Sequence, residues 1–391
     1  LTFECARVNK EKKLGSGTFG NVYLAKYGST PSSPNVVVKK LKNTSAECQM
    51  RFFKEAKILN SVKGHRNVIE FLGFCDQPHS IMMQYSSFDF RVFGVERNVS
   101  SLADLVQFID AEFDFSQPSL YNLLPLCAKD ILTGLEYLHK RNIAHRDLKP
   151  ANILVSNQHY LDVDSNNLSE AFQQCPIVCR LTDFGLSRSV DIQTKTVSMS
   201  KTKSISCGTP AYMAPEIFLN QLDSATQEDL KRADMWSLGL VAHTMMNPEL
   251  GSPYRAEMEE SGVANPDIAL KDLLVKRELP KHGSKYEKLR VTSWWQLEEI
   301  FNLCAQFNSM DRLSSEQMLC FHQNNLTNSF QVFPLSVSQS SALDKHDGDV
   351  AADVQESLLT KQLEVQSVSP PANDGTNCCA FLALSICDRL L

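Results

Sequence analysis

Along the first 85 residues, β-branched and aromatic side chains gather in four short runs: Asn21 to Tyr27, Asn35 to Leu41, Val68 to Phe74 and Ser80 to Tyr85. Runs of this length and content, set apart by polar breaks, predict strands. One segment between them has a different period. From Ala46 to Val62 the apolar residues Phe52, Ala56, Leu59 and Val62 fall near one face with Glu55 beside them, which predicts a helix. Beyond Leu120 the helical period dominates, over Leu120 to Lys140, Gln227 to Met246, Ser293 to Phe307 and Ser314 to Gln323. The order predicts an α+β chain of two lobes, a small N-terminal antiparallel sheet carrying one helix and a larger, mainly helical C-terminal part. No internal repeat is visible.

Composition changes the picture at the C-terminal end. Residues 326–391 hold eight acidic against three basic residues, and so carry most of the net charge of −6. Ser369-Pro370-Pro371 and Asn373-Asp374-Gly375 interrupt this stretch, predicting a mobile acidic tail. Its Cys378-Cys379 beside Ala380 to Leu384 would suit a docking partner or a palmitoyl group. Over the whole chain, 39 basic residues against 45 acidic ones argue against nucleic acid as a partner. No apolar run approaches the roughly 20 residues that cross a bilayer, and Thr2 to Lys13 is too charged for a secretory leader, although the chain opens on Leu1. Twelve cysteines are scattered without a Cys-x-x-Cys pair; Cys175 and Cys179 come nearest to one. Free thiols in a reducing, intracellular and cytoplasmic setting are expected.

The first chemical motif is Gly15-Ser16-Gly17-Thr18-Phe19-Gly20-Asn21-Val22. A dinucleotide fold would continue such a triplet into a helix, with an acidic residue about 20 positions on. Here a strand-like run follows and Lys39-Lys40 stands at that distance, so the loop joins two strands and its backbone N–H groups can lie close over a polyphosphate. Lys39, on the next strand, is a candidate cation for that phosphate, with Glu55 sixteen residues later to hold it. Further along, His145 to Asn152 supplies a carboxylate to take a hydroxyl proton (Asp147), an ammonium to neutralise a transferring phosphoryl group (Lys149) and an amide oxygen for a hard cation (Asn152). Asp183-Phe184-Gly185 then offers a second oxygen ligand, so that Asn152 and Asp183 form a candidate Mg²⁺ site.

The ordered set resembles a eukaryotic protein kinase catalytic domain, from about residue 6 to 325, with an N-lobe of about 6–84 and a C-lobe of about 87–325. The resemblance implies ATP as cosubstrate, with Gly15, Gly17 and Gly20 over its phosphates and Lys39 and Glu55 holding them. It implies Asp147 as base with Lys149 beside the transferring group, and Asn152 and Asp183 on Mg²⁺. For adenine it implies Leu14 and Val22 above, Leu154 below, Met83 as gatekeeper and Gln84 to Ser86 as hinge. Val37 stands where the family usually has alanine, and its extra methyls bear on ATP affinity. Arg312 is expected to pair with Glu216 of Ala214-Pro215-Glu216, and Asp234 to brace the catalytic loop. Lys149 and Gly208 to Glu216 resemble the Ser/Thr-directed members, and Leu72-Gly73-Phe74-Cys75 is similar to their tyrosine-kinase-like group.

Two segments, Ser87 to Ser100 and Asn157 to Pro176, exceed a minimal kinase and are expected to be surface loops. Between Asp183 and Glu216, the hydroxyls of Thr194, Thr196, Ser198, Ser200, Thr202, Ser204 and Ser206 suggest activation by phosphorylation from an upstream kinase, with Arg146 receiving the phosphate. The expected activity is transfer of the γ-phosphoryl group of ATP to serine or threonine of protein substrates. A pseudokinase scaffold with weak or no catalysis is the alternative, and a small-molecule kinase a third reading.

Overall fold

Five strands form an antiparallel sheet in the spatial order β1-β2-β3-β5-β4: β1 (Val8–Ser16), β2 (Gly20–Tyr27), β3 (Asn35–Leu41), β4 (Phe71–Cys75) and β5 (Ser80–Gln84). The computed structural model describes residues 2–325 apart from 17–19, 31, 44, 113–117, 162, 164, 190–206 and 290–293. Gly17, the hydroxyl-rich segment Thr194 to Ser206 and the acidic stretch with its cysteine pair therefore lie outside the described residues. Alternation along β3 sorts its side chains. Val36 and Val38 join Phe3, Ala25, Cys75 and Met82 in a core cluster on one face, which leaves Val37 and Lys39 on the other. There the sheet receives α1 (Ala46–Val62), which starts at Ser45, whose hydroxyl accepts the Cys48 N–H, and buries Phe52, Glu55, Ala56, Ile58, Leu59 and Val62.

The C-terminal part opens with β6 (Phe88–Asp89), β7 (Asn98–Val99), α2 (Leu102–Glu112), α3 (Pro118–Tyr121) and α4 (Leu123–Lys140). It continues through β8 (Ile143–Ala144), β9 (Ile153–Ser156), α5 (Ser165–Gln174), β10 (Val178–Leu181), β11 (Arg188–Ser189), α6 (Pro215–Phe218) and α7 (Gln227–Met246). It ends with α8 (Arg255–Glu260), α9 (Pro266–Val275), α10 (Tyr286–Leu289), α11 (Trp295–Cys304) and α12 (Ser315–Asn325). Thr226 and Asp229 cap α7 reciprocally, and from Asp234 to Met246 the helix is buried on every side, as befits the central helix of the core. α11 packs along it, while α4 lies between α12 and β10.

The two parts are joined by backbone. The expected strand Val68 to Phe74 begins only at Phe71, because Val68 instead bridges Leu181 of β10 in parallel. Ile69 donates its N–H to the Leu181 carbonyl at 3.0 Å, and Leu181 donates to the Asn67 carbonyl at 2.9 Å. A Cβ at Gly134 of α4 would stand 2.7 Å from that Asn67 oxygen, so only glycine lets the helix come this close.

Other expectations are corrected. β1 escapes the hydrophobic pattern because its sequence, VNKEKKLGS, holds only two large apolar residues, and pairing with β2 specifies it. The helix expected over Leu120 to Lys140 is divided at Asn122 into α3 and α4. The two presumed surface loops contain β6, β7 and α5, and they bury Phe88, Phe90, Tyr160 and Phe172. Phe93 of the first segment meets Phe172 of the second at 5.9 Å, and Phe90 packs on Phe108 of α2, so the aromatic residues are covered where loops would expose them.

Two core histidines make the fold sensitive to acid. Burial, reinforced by His282, pushes His243 down to about 4, and burial, reinforced by Lys129, pushes His322 to about 4 from the ordinary 6.5. Both stay neutral in the fold, whereas the unfolded chain protonates them near pH 6.5. Their contribution is therefore complete above about pH 6.5, falls as the pH drops toward 4 and is flat below it. The urea midpoint is expected to fall over that window, and His322→Met to make the fall shallower.

Candidate functional site

The antiparallel register puts Val22 opposite Lys39, and Val37 opposite Met83, so these four positions sit together on the middle strands. The Lys39 ammonium is buried and makes two ion pairs, 2.7 Å to Glu55 Oε1 and 2.9 Å to Asp183 Oδ1. Burial alone would depress the Lys39 pKa, but the two carboxylates outweigh it and hold the group above the ordinary lysine value. Burial likewise works to raise Asp183, and the Lys39 charge and hydrogen bond override it, keeping that carboxyl below its usual range. For Glu55, completely enclosed, burial prevails and its pKa is raised.

A second constellation is built on the turn after β8. Asn152 Nδ2 donates to the Asp147 carbonyl at 2.8 Å and to Asp147 Oδ2 at 2.9 Å. Lys149 Nζ stands 3.1 Å from the same Oδ2 and donates to Thr209 Oγ1 at 2.6 Å, and the Thr209 hydroxyl donates to Asp147 Oδ1 at 2.7 Å. Asp234 holds the turn from below, accepting the N–H groups of His145 and Arg146 at 2.7 Å each, with His139 Nε2 3.0 Å from its Oδ2. The two constellations adjoin through Thr182, whose N–H donates to the Asn152 carbonyl at 3.0 Å. Phe184, buried against the His145 ring at 5.3 Å, fixes the residue after Asp183.

The donor chemistry fits a magnesium ion. With its amide nitrogen committed to Asp147, Asn152 keeps its amide oxygen as acceptor, and Asp183, 44% exposed, keeps Oδ2. Both are hard oxygen donors. Among the described residues no three His, Cys, Asp or Glu cluster as a metal cage.

The remaining expected positions are placed mainly by strand register. Leu14 and Gly15 lie on β1, Leu14 being exposed, and Gly15 pairs with Val22. Gly20 has a reason of its own: a Cβ there would stand 2.8 Å from the Lys40 carbonyl oxygen, so the sheet itself requires glycine. Gln84 ends β5 exposed, Ser86 is buried with its hydroxyl 3.5 Å from Arg180 Nη1, and Leu154 lies on β9 opposite Arg180. Among the described residues, Leu14, Ser86 and Leu154 make no hydrogen bond to the Lys39 group. Arg312 and Glu216 form a two-pronged pair at 2.7 and 2.8 Å. Thr209, inside the Gly208 to Glu216 run, joins the Asp147 group across 62 residues, a separation that leaves no local signal in the sequence.

A family model described as "Protein kinase domain" matches residues 8–322. Among curated proteins, "Probable LRR receptor-like serine/threonine-protein kinase" of Arabidopsis thaliana is 25% identical over 93% of this chain and 34% of its own length. MAP kinase-interacting serine/threonine-protein kinase 1 of Xenopus laevis is 26% identical over 61% of the chain and 49% of its own. Mitogen-activated protein kinase kinase kinase 3 of Arabidopsis thaliana is 26% identical over 98% and 54%. The chain thus spans between a third and just over half the length of these relatives.

The buried ion pair itself has a measurable consequence. Lys39→Met leaves the Glu55 carboxylate enclosed without its cation and is expected to cost about 3–5 kcal/mol in urea unfolding. Adding Glu55→Gln to that variant should recover a good part of the loss.

Proposed function

The chain belongs to the protein kinase family, and on that premise we propose that it is an ATP- and Mg²⁺-dependent kinase acting on serine or threonine of protein substrates. The contact of one lysine with both Glu55 and Asp183, beside the Asp147 group, is the observation that carries this reading. The Lys39 ammonium would hold the α- and β-phosphates under the backbone of the glycine loop. Asp147, oriented by Thr209 and Asn152, would accept the proton of the attacking hydroxyl, and Lys149 would neutralise charge on the transferring group. Asn152 and Asp183 would hold Mg²⁺, which would supply positive charge to neutralise the phosphate oxygens. Adenine would lie among Leu14, Val22, Val37, Met83 and Leu154, against the main chain of Gln84 to Ser86.

A serine or threonine preference is supported by the Lys149–Thr209–Asp147 network and by the serine/threonine-protein kinases among the relatives. Regulation by phosphorylation is supported by a group of cations near Cys207. Lys54 is lowered first by burial and then by repulsion from Arg146 and Arg188, a crowding of like charge that a phosphate would relieve. We take the hydroxyl that accepts the phosphoryl group to lie within Thr194 to Ser206. Inside a cell is the setting we favour: the nine described cysteines are all free of disulfides, and no helix among the described residues is long and apolar enough to cross a membrane.

Incorporation of γ-phosphate into a generic protein substrate tests the activity. Asp147→Asn is expected to lower kcat by about 10²–10⁴-fold, EDTA to abolish transfer and added Mg²⁺ to restore it, with label on phosphoserine or phosphothreonine. A correctly folded wild-type chain that transfers nothing would instead support the scaffold reading. Replacing every hydroxyl from Thr194 to Ser206 by alanine is expected to abolish activation by an upstream kinase; full activity in that variant refutes the switch.

A further inference from the structure

Asn157 follows directly on β9 and is 0% exposed. Its amide is engaged at both ends by one residue distant in sequence. Asp89 donates its main-chain N–H to Asn157 Oδ1 at 2.8 Å, and Asn157 Nδ2 donates to the Asp89 carbonyl at 2.9 Å. A single side chain thus gives Asp89 the pairing that a neighbouring strand would give. Two further bonds run alongside: the Asn157 N–H donates to the Ser87 carbonyl at 3.3 Å, and Gln158 Nε2 to Ser87 Oγ at 3.2 Å. Ser87 and Asp89 lie immediately beyond Gln84 to Ser86, so these four bonds tether the exit of that crossover to the end of β9.

The other end of the same segment returns to the same strand. Val155 donates its N–H to the Ser100 carbonyl at 3.0 Å, and Ser101 bridges Leu154. Between these anchors lies a small aromatic core, with Phe90 against Phe108 of α2 at 4.6 Å and Phe93 against Phe172 of α5 at 5.9 Å. Tyr160, buried, closes its own loop by donating to the Pro176 carbonyl at 2.9 Å. The aromatic core can hold the two segments together by burial alone. It does not explain why a buried amide should be aimed at the main chain of Asp89, where any loss of a partner leaves polar groups unpaired.

We propose that Asn157 is a positioning residue for the nucleotide: by fixing Ser87 and Asp89 to the end of β9, it sets the spacing between the Gln84 to Ser86 main chain and Leu154, which are two of the walls of the adenine slot. The proposal rests on the kinase reading and adds a residue that the kinase motifs do not contain. Asn157 acts through the walls and touches no reacting group. The Asp147 constellation is held separately by Asp234, so loosening the slot should weaken ATP binding and leave the transfer step intact.

Asn157→Asp is nearly isosteric and replaces the donor that faces the Asp89 carbonyl with an acceptor, whereas Phe172→Leu disturbs the aromatic core and keeps the amide. Initial rates against ATP and against peptide, together with urea midpoints, separate the two effects. Asn157→Asp is expected to raise KM for ATP about tenfold, the worth of one to two hydrogen bonds, with kcat and peptide KM changed by less than about twofold. Phe172→Leu should lower the midpoint and leave KM for ATP alone. Gln158→Ala, at a half-buried position, gives a milder test and should raise KM for ATP about threefold. A wild-type KM for ATP in both the Asn157 and Gln158 variants sinks the proposal, as does a rise in KM that simply tracks lost stability across all three. If Asn157→Asp does not fold, the Gln158 result decides. Should the wild-type chain bind no ATP, the kinase reading fails and takes this inference with it; normal wild-type transfer with unmoved KM values removes this inference alone.

Discussion

A buried ammonium between two carboxylates is the constraint on which the rest of the molecule turns. Enclosing Lys39 is tolerable only while both its anionic partners are present, because an isolated charge in a protein interior costs several kcal/mol. Those partners come from α1, 16 residues away, and from the segment after β10, 144 residues away. The sheet, its single long helix and the C-terminal part must therefore converge on one nitrogen atom. Strand alternation aims Lys39 inward, the helical period aims Glu55 at it, and the turn after β10 brings Asp183 within reach.

That turn is itself held in an unfavourable conformation. Asp183 has φ of 62° and Arg146 has φ of 70°, left-handed values that cost a non-glycine residue about 1–3 kcal/mol each. Both lie in the site, and both are held by strong contacts: Asp183 by Lys39 and the buried Phe184, Arg146 by the Asp234 carboxylate on its N–H. Asp234 can do this because α7 is buried on every side from Asp234 to Met246. The central helix thus has two tasks, to organise the core and to carry the carboxylate that shapes the turn above it.

Much of this was legible in the chain, for identifiable reasons. α1, β3 and α7 begin and end where hydrophobic periodicity and β-branched content place them, since their stability comes from local pattern. The Lys39, Glu55 and Asp183 contact was foreshadowed by motif order. β1 was not visible, because a strand of lysines and glutamate owes its existence to the neighbour it pairs with. Nor were the two long segments after the crossover and after β9: each looks irregular alone, and only the meeting of Phe93 with Phe172 and of Asp89 with Asn157 gives them order. Thr209 was passed over for the same reason. Pairings across 60 or more residues leave no trace in a local window.

Asn67 to Ile69 adds its backbone to the β9–β10 ribbon as a third, parallel participant. Asp183 stands two residues beyond Leu181, so this seam anchors the turn that carries it to the stretch leading into β4, and the reach of its carboxylate toward Lys39 is set by main-chain bonds as well as by charge.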